Sequence, residues 1–265
     1  MKPSISLVRT IKAKWLNFSG SVGRVRREEG LDAALREAAR WISDVTFRPV
    51  TSLRQRRLDR RLGIRTRGEP YGPGHAPLDP EVMATATYRD SINYGPTPAH
   101  HFIRMLRSLP VNVPADFTFV DIGCGKGVTL CLAADHGFQT VIGVELDPRL
   151  VDIARDNVRA FLAKRRWPER VIDVVHHDAA NYELPAGPTV AFMFHPFGES
   201  TLRAVTKNIE RSLEQSPRPF YVAYYNPVHR EVLDESPMLR RLSKNARWAL
   251  YETSACIRTE TYTPE

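Results

Sequence analysis

The chain has 265 residues, 42% of them hydrophobic and 26% charged, with a formal net charge of +8. That length holds one sizeable core plus an appendage, since domains average roughly 100 to 200 residues. No apolar run reaches the roughly 18 residues of a membrane span, no cleavable apolar leader is evident, and three cysteines (Cys124, Cys131, Cys256) without paired spacing argue against a disulfide framework or a metal cluster. A reduced, cytoplasmic setting without a bound metal is the expectation.

The charge is unevenly spread. Residues 1–70 contain 17 Lys and Arg against 7 Asp and Glu, a net +10, which leaves −2 for the remainder. Ile5, Val8, Ile11, Trp15 and Phe18 share one helical face, and Leu31, Ala34, Leu35, Ala38, Trp41, Ile42 and Val45 form a second stripe. A basic run, Arg54-Gln55-Arg56-Arg57-Leu58-Asp59-Arg60-Arg61, then leads into a Gly/Pro-rich stretch over 68–80. These shifts predict a basic helical extension over 1–67, a linker over 68–90 and a main domain over 91–265. Three uses of the extension stay open: docking or covering substrate on its own domain, contact with an anionic membrane surface, and contact with nucleic acid.

Beyond the linker, strand and helix signals alternate. Tyr94-Gly95-Pro96-Thr97-Pro98 reads as a turn into a helix, with Thr97 as N-cap, Pro98 at the first helical position, and Phe102, Leu106 and Leu109 facing inward. An apolar run over 117–122 carries an acid, Asp121, and ends in Gly123-Cys124-Gly125-Lys126-Gly127. The next helix runs to residue 135 or 136 and stops at Gly137. A second apolar run ends at Val144-Glu145, and Asp147-Pro148 starts a helix that buries Leu150, Ala154, Val158 and Phe161. Further strands are expected over 171–176, 189–195 and 220–225, with a helix over 200–213. This is the pattern of a doubly wound α/β fold, a mostly parallel sheet with helices on both faces and ligands at the carboxyl edge of its strands.

Strand, glycine turn, helix and a second strand ending in an acid form the layout of a nucleoside-cofactor site. Spacing decides which nucleoside. A phosphate-gripping P-loop aligned on Gly125-Lys126 needs Gly at 120 and Ser or Thr at 127, where Val120 and Gly127 stand. A dinucleotide fingerprint from Gly123 needs a small residue at 128, where Val128 stands, although Glu145 lies at a suitable distance. The sequence Asp121-Ile122-Gly123-Cys124-Gly125-Lys126-Gly127 instead resembles motif I of the class I S-adenosylmethionine (SAM)-dependent methyltransferases. The likeness extends over roughly 94–225.

That resemblance implies a seven-stranded sheet, SAM as cofactor and methyl transfer to an unidentified nucleophile, with an amine of a protein or small molecule as the candidate. It implies that Asp121 holds the amino-acid end of the cofactor, that Glu145 accepts the ribose diol, and that Asp178-Ala179 border the adenine. Gly123, Gly125 and Gly127 let backbone approach the ligand closely. A turn-forming role for Asp178 is equally open. His195-Pro196-Phe197 stands where several methyltransferases carry Asn-Pro-Phe to orient the acceptor, so His195 is the catalytic candidate and Pro196 and Phe197 the substrate-side ones. An imidazole does not reproduce an amide's simultaneous donor and acceptor. His176 and His177 are further candidates to take a proton. The antiparallel strand pair of the family would fall on 248–254 and 257–263.

A narrower likeness joins Leu58-Asp59-Arg60-Arg61-Leu62-Gly63-Ile64, Tyr94-x-Pro-Thr97, the glycine motif, Ile142-Gly143-Val144-Glu145-Leu146, His195-Pro196-Phe197-Gly198 and Tyr225-Asn226-Pro227-Val228-His229 to a largely uncharacterised bacterial group of these enzymes. It places Tyr94 and Thr97 at the methionine end of SAM. Three other readings remain: a nicotinamide-dependent oxidoreductase, a non-catalytic SAM-binding module, and a nucleic-acid methyltransferase using the basic extension.

Overall fold

A computed structural model of the chain describes residues 53–66, 85–89, 97–167, 169–243 and 247–253. The apolar stripes over 5–18 and 31–45, most of the linker, Tyr94 and the run over 257–263 lie outside the described residues. The chain divides into two compact units, Met1–Leu58 and Asp59–Glu265. In the first, the described residues 53–58 are helical.

The second unit is built on a mixed, mostly parallel sheet of seven strands flanked by helices. In chain order the strands are β1 (Thr118–Ile122), β2 (Thr140–Glu145), β3 (Val171–His176), β4 (Thr189–Phe194), β5 (Phe220–Tyr225), β6 (Leu239–Arg241) and β7 (Trp248–Thr253). Their spatial order is β3-β2-β1-β4-β5-β7-β6. The first five run parallel, whereas β7 is antiparallel to β5 and β6 antiparallel to β7. Every residue of β5 and nearly every residue of β4 is buried, as expected of central parallel strands, whereas β3 alternates at the sheet edge. The helices are α1 (Ala99–Leu106), α2 (Val128–His136), α3 (Pro148–Arg165), α4 (Glu199–Gln215) and α5 (Arg230–Asp234), besides a single helical turn at Ala86–Arg89.

Side-chain alternation divides the core. Val120, Ile122, Ala191, Met193, Val222, Tyr224, Ala249 and Tyr251 form one cluster with Leu202, Val205, Ile209 and Leu213 of α4 and Val232 and Leu233 of α5. Their strand neighbours Phe119 and Phe192 both meet Phe102 of α1, with ring centroids 5.8 and 5.0 Å away and near-perpendicular planes. Helix α2 has no polar face, because Val128 to Ala134 are all buried.

Two expectations need correction. The strand paired with β7 is Leu239–Arg241, three residues long with two exposed arginines, which carries too little apolar pattern to stand out. Thr97 is not an N-cap: α1 begins one residue later, Pro98 holds the cap position in extended geometry, and no side chain caps the helix. By contrast, Asp147 caps α3 through Arg149 N–H at 2.9 Å, and α2 ends at His136 before Gly137, whose φ is 120°.

Residues 59–66 pack on the sheet unit. Leu62 and Ile64 are buried, and Gly63, at φ 80°, ends the helical residues that precede it. Thr66 Oγ1 donates to the Asp59 carboxylate at 2.7 Å. The buried Asn157 of α3 ties this segment to the glycine turn: its Oδ1 accepts from Arg65 N–H at 2.7 Å, while its Nδ2 donates to Arg65 O at 3.0 Å and to Lys126 O at 2.8 Å. Replacing Asn157 with Ala strands a buried carbonyl and two further backbone groups. The expected cost is about 2 kcal/mol, read as a lower urea midpoint. Deleting Met1–Leu58 should leave that midpoint in place, whereas deleting residues 1–66 should lower it.

Candidate functional site

The carboxyl ends of β1, β2, β4 and β5 lie level, since Ile122 pairs with Val144, Asp121 with Phe192, and Phe194 with Tyr225. The glycine turn rises from β1 at this edge. Gly123, Gly125 and Gly127 have φ of 85°, 54° and 75°, the left-handed region that L side chains avoid. A Cβ on Gly123 would come within 2.7 Å of Pro196 Cβ, so the loop after β4 lies directly on the turn. The Gly123 and Cys124 amides both donate to Val144 O, at 2.9 and 3.1 Å, and bind the turn to the end of β2.

Two acids flank this turn. Asp121 is 2% exposed; its Oδ2 accepts from the Thr129 hydroxyl, while its Oδ1 is buried without a hydrogen-bond partner. Burial pushes its pKa up to about 7, opposed by the Thr129 hydroxyl and reinforced by the charge of Glu145. Glu145 is half-buried and held by three backbone amides: Gly125 N–H on Oε2 at 2.8 Å, and Leu146 and Asp147 N–H on Oε1, each at 2.9 Å. Burial raises the Glu145 pKa as well, against the lowering effect of those amides. A carboxylate offers about four lone-pair directions, so a diol meeting both oxygens would compete with the turn's own amides.

The chemistry of this donor set can be compared with the competing ligands. Two acids with raised pKa favour a cationic ligand. The turn lysine, Lys126, is 3% exposed, and burial lowers its pKa while the charge of Asp59 supports it. Its ammonium is therefore sequestered instead of being offered to a phosphate. The glycine cradle and the unpartnered Asp121 Oδ1 fit the amino-acid end and sulfonium of SAM better than a pyrophosphate or triphosphate.

The remaining sequence candidates are distributed as follows. Thr97 is 5% exposed at the start of α1. Asp178 follows β3 and forms a turn, its Oδ1 accepting from Ala180 N–H at 2.9 Å and from the Thr87 hydroxyl at 2.8 Å. Ala179 is half-buried and packs on the core. Phe197 is 3% exposed inside the core cluster and serves packing, whereas Pro196 covers Gly123. His176 and His177 point at backbone carbonyls, Leu146 O and Asp178 O, each at 2.9 Å.

His195 is half-buried at the end of β4 with φ 37°, and Asn226 occupies the matching place after β5 with φ 52°; each precedes a proline. His195 Nδ1 lies 3.2 Å from the Tyr224 hydroxyl, and its ring centroid is 5.6 Å from that of His229. Burial lowers the His195 pKa, and His229 adds to the effect. On the other side of the β4–β5 edge, His101 Nδ1 is 2.7 Å from the Tyr225 hydroxyl and its Nε2 3.0 Å from Arg247 Nη1, beside the rings of His100 and Trp248, while Phe194 packs on Tyr225. Sequence reasoning missed Tyr224, His229, His101 and Arg247. The repeat of a polar residue before proline at two adjacent strand ends was the available signal for the first two; α1 and the approach to β7 contribute the others from far along the chain.

The Asp121 pKa has a measurable consequence for the ligand-free domain. An ordinary aspartate ionises near pH 4, but the folded domain keeps this proton up to about pH 7. Below about pH 4 both folded and unfolded chains are protonated, and nothing is lost. As pH rises from there to 7, the unfolded chain releases a proton that the folded one retains, so stability falls, by about 4 kcal/mol once both are ionised. Asp121→Asn should therefore melt above the wild type at pH 8, and the gain should shrink toward zero near pH 4, as followed by thermal denaturation.

With the geometry in view, residues 119–216 match the family model described as "Methyltransferase domain". A ribosomal protein L11 methyltransferase of Clostridium botulinum (strain Eklund 17B / Type B) is 40% identical over 99 residues, 37% of this chain and 29% of that protein. Its namesake in Thiobacillus denitrificans is 40% identical over 62 residues, 23% of this chain and 21% of that protein. The chain thus spans under a third of the length of these curated relatives. An RNA methyltransferase from Salinibacter ruber, solved with S-adenosyl-L-homocysteine, aligns with 60% of this chain and 92% of its own at 21% identity and a TM-score of 0.41, too loose a likeness to add weight. The family match over residues 119–216 and the strand order agree on a class I, Rossmann-like methyltransferase fold.

Proposed function

We propose that the domain is a SAM-dependent methyltransferase whose cofactor lies on the glycine turn between β1 and β2 and whose acceptor enters beside the loop after β4. The observation that carries this reading is the acid pair around the turn, above all the buried Asp121 Oδ1 with no partner. Bound SAM supplies an electrophilic methyl on a sulfonium. Asp121 would take its ammonium, Glu145 its ribose hydroxyls, and Gly123, Gly125 and Gly127 would leave room for its backbone-facing side. Asp178 and Ala179 would border the adenine, with Thr97 and Tyr94 near the methionine end. His195 would face the acceptor, with Pro196 fixing the loop against Gly123. The chain's own contribution is alignment and exclusion of water.

The named acceptors of the relatives are a ribosomal protein and RNA, but the shared stretch is too short to carry either one over. The basic extension, with a net +10 over residues 1–70, suits an anionic partner, and residues 1–67 are its proposed docking segment. Buried free thiols at Cys124 and Cys131 fit a reducing, cytoplasmic compartment. No described helix is long and apolar enough to cross a membrane.

Calorimetric titration of the full chain should show saturable SAM binding and none of NAD(P). Asp121→Ala and Glu145→Ala should each weaken SAM binding by about tenfold or more, the effect of about 1.4 kcal/mol. Unchanged affinity in both variants would remove the acid pair from the site. Methyl-labelled SAM incubated with the protein and fractionated cell extract should pass label to an acceptor; binding without any transfer would mark a non-catalytic module.

A further inference from the structure

The hydrogen-bond pattern around His195 assigns its tautomer. Tyr224 is 1% exposed, so its hydroxyl hydrogen must be matched within the protein. Among the described residues, His195 Nδ1, at 3.2 Å, is the acceptor within reach of the Tyr224 hydroxyl. Nδ1 therefore accepts, and a neutral imidazole then carries its hydrogen on Nε2. The two ring nitrogens diverge, so Nε2–H points away from buried Tyr224. His195 thus presents a donor with no free lone pair, the reverse of the amide oxygen that binds an amine's N–H.

The other side of the β4–β5 edge agrees. A guanidinium only donates, so Arg247 makes His101 Nε2 the acceptor at 3.0 Å, and His101 Nδ1–H must donate to the Tyr225 oxygen at 2.7 Å. The Tyr225 hydroxyl hydrogen is left to donate elsewhere. Arg247 and Arg104 both act electrostatically on His101, so this rim is cationic as well as donor-rich. A nucleophile held by Nε2–H of His195 must offer lone pairs and carry no proton that His195 would have to remove.

We propose, resting on the methyltransferase reading above, that the methyl acceptor is an ionised carboxylate bound through Nε2–H of His195, with Tyr224 as the positioning residue that fixes this tautomer. Carboxyl groups have already lost their proton at neutral pH, whereas alcohols and phenols keep theirs and most amines are protonated ammonium ions. The carboxylate oxygen forms the new bond to the methyl carbon, sulfur keeps the electron pair of the C–S bond that breaks, and no proton is released. The product is a methyl ester.

Two measurements test this on the full chain. In nitrogen-15 histidine spectra recorded with S-adenosylhomocysteine bound, His195 Nδ1 should resonate as a pyridine-type nitrogen and Nε2 as a pyrrole-type one, and Tyr224→Phe should shift the pair toward the opposite tautomer. The reversed pattern in the wild type overturns the proposal without touching the methyltransferase reading. Separately, the label transferred from methyl-tritiated SAM to cell extract should be released by mild alkali as volatile methanol, the behaviour of an ester. His195→Asp, tolerated because aspartate accepts a left-handed backbone and lacking any donor when ionised, should lower that release about a hundredfold, the scale for loss of a preorganised donor. Alkali-stable label on nitrogen overturns the carboxylate assignment, and transfer to no component overturns both it and the enzyme reading.

Discussion

The constraint on which the site depends is the burial of Asp121. A carboxyl group in the middle of a sheet edge, 2% exposed and with one oxygen unpartnered, carries a desolvation cost that no packing contact offsets. The fold retains it because the Thr129 hydroxyl, in the first turn of α2, satisfies the other oxygen. That placement requires α2 to start directly after the turn, which in turn requires three left-handed backbones at Gly123, Gly125 and Gly127. The acid, the glycines and a helix buried on all sides are thus parts of one solution. Each makes the others necessary.

The acceptor side is joined to this arrangement mechanically. Pro196 occupies the space that a side chain at 123 would fill, so the loop after β4 takes its position from the glycine turn. The strand register then brings Phe194 level with Tyr225, and alternation sends Tyr224 and Tyr225 to opposite sides of the sheet. Each tyrosine meets a histidine from a different part of the chain, His195 on one side and His101 on the other. These tyrosine–histidine pairs at the strand ends are a consequence of strand pleat and register.

Much of this was legible in the sequence where a residue's role is local. Strands 171–176 and 220–225 were read to the residue, as was the cap at Asp147, because β-branched runs and an Asp-Pro helix start act over a few positions. The glycine motif identified the turn; Val120 and Gly127 excluded a P-loop, whereas Val128 interrupted the dinucleotide fingerprint without removing that reading. What escaped was non-local. The strand Leu239–Arg241 exists only because β7 offers it an edge. Asn157 reads as one more polar residue on α3, yet it holds Arg65 and Lys126 from segments 92 and 31 residues away. Asp178 had two readings of equal standing, and the turn it makes with Ala180 shows the local one at work without deciding the other.

Glu145 shows what the structure adds to a position that the sequence already marks. Its position at the tip of β2 was plain from the sequence, and so was its suitability to accept hydroxyls. The structure adds that three backbone amides already engage it, one of them from Gly125 in the turn. A ribose diol seeking both oxygens would have to share Oε2 with Gly125 or displace that amide. The turn's conformation and the occupancy of the nucleoside pocket are therefore coupled through one hydrogen bond of 2.8 Å. Because the same turn touches Pro196, a change there is transmitted by direct contact to the loop that carries His195. Glu145 and His195 are thus linked through the backbone of the turn and the ring of Pro196.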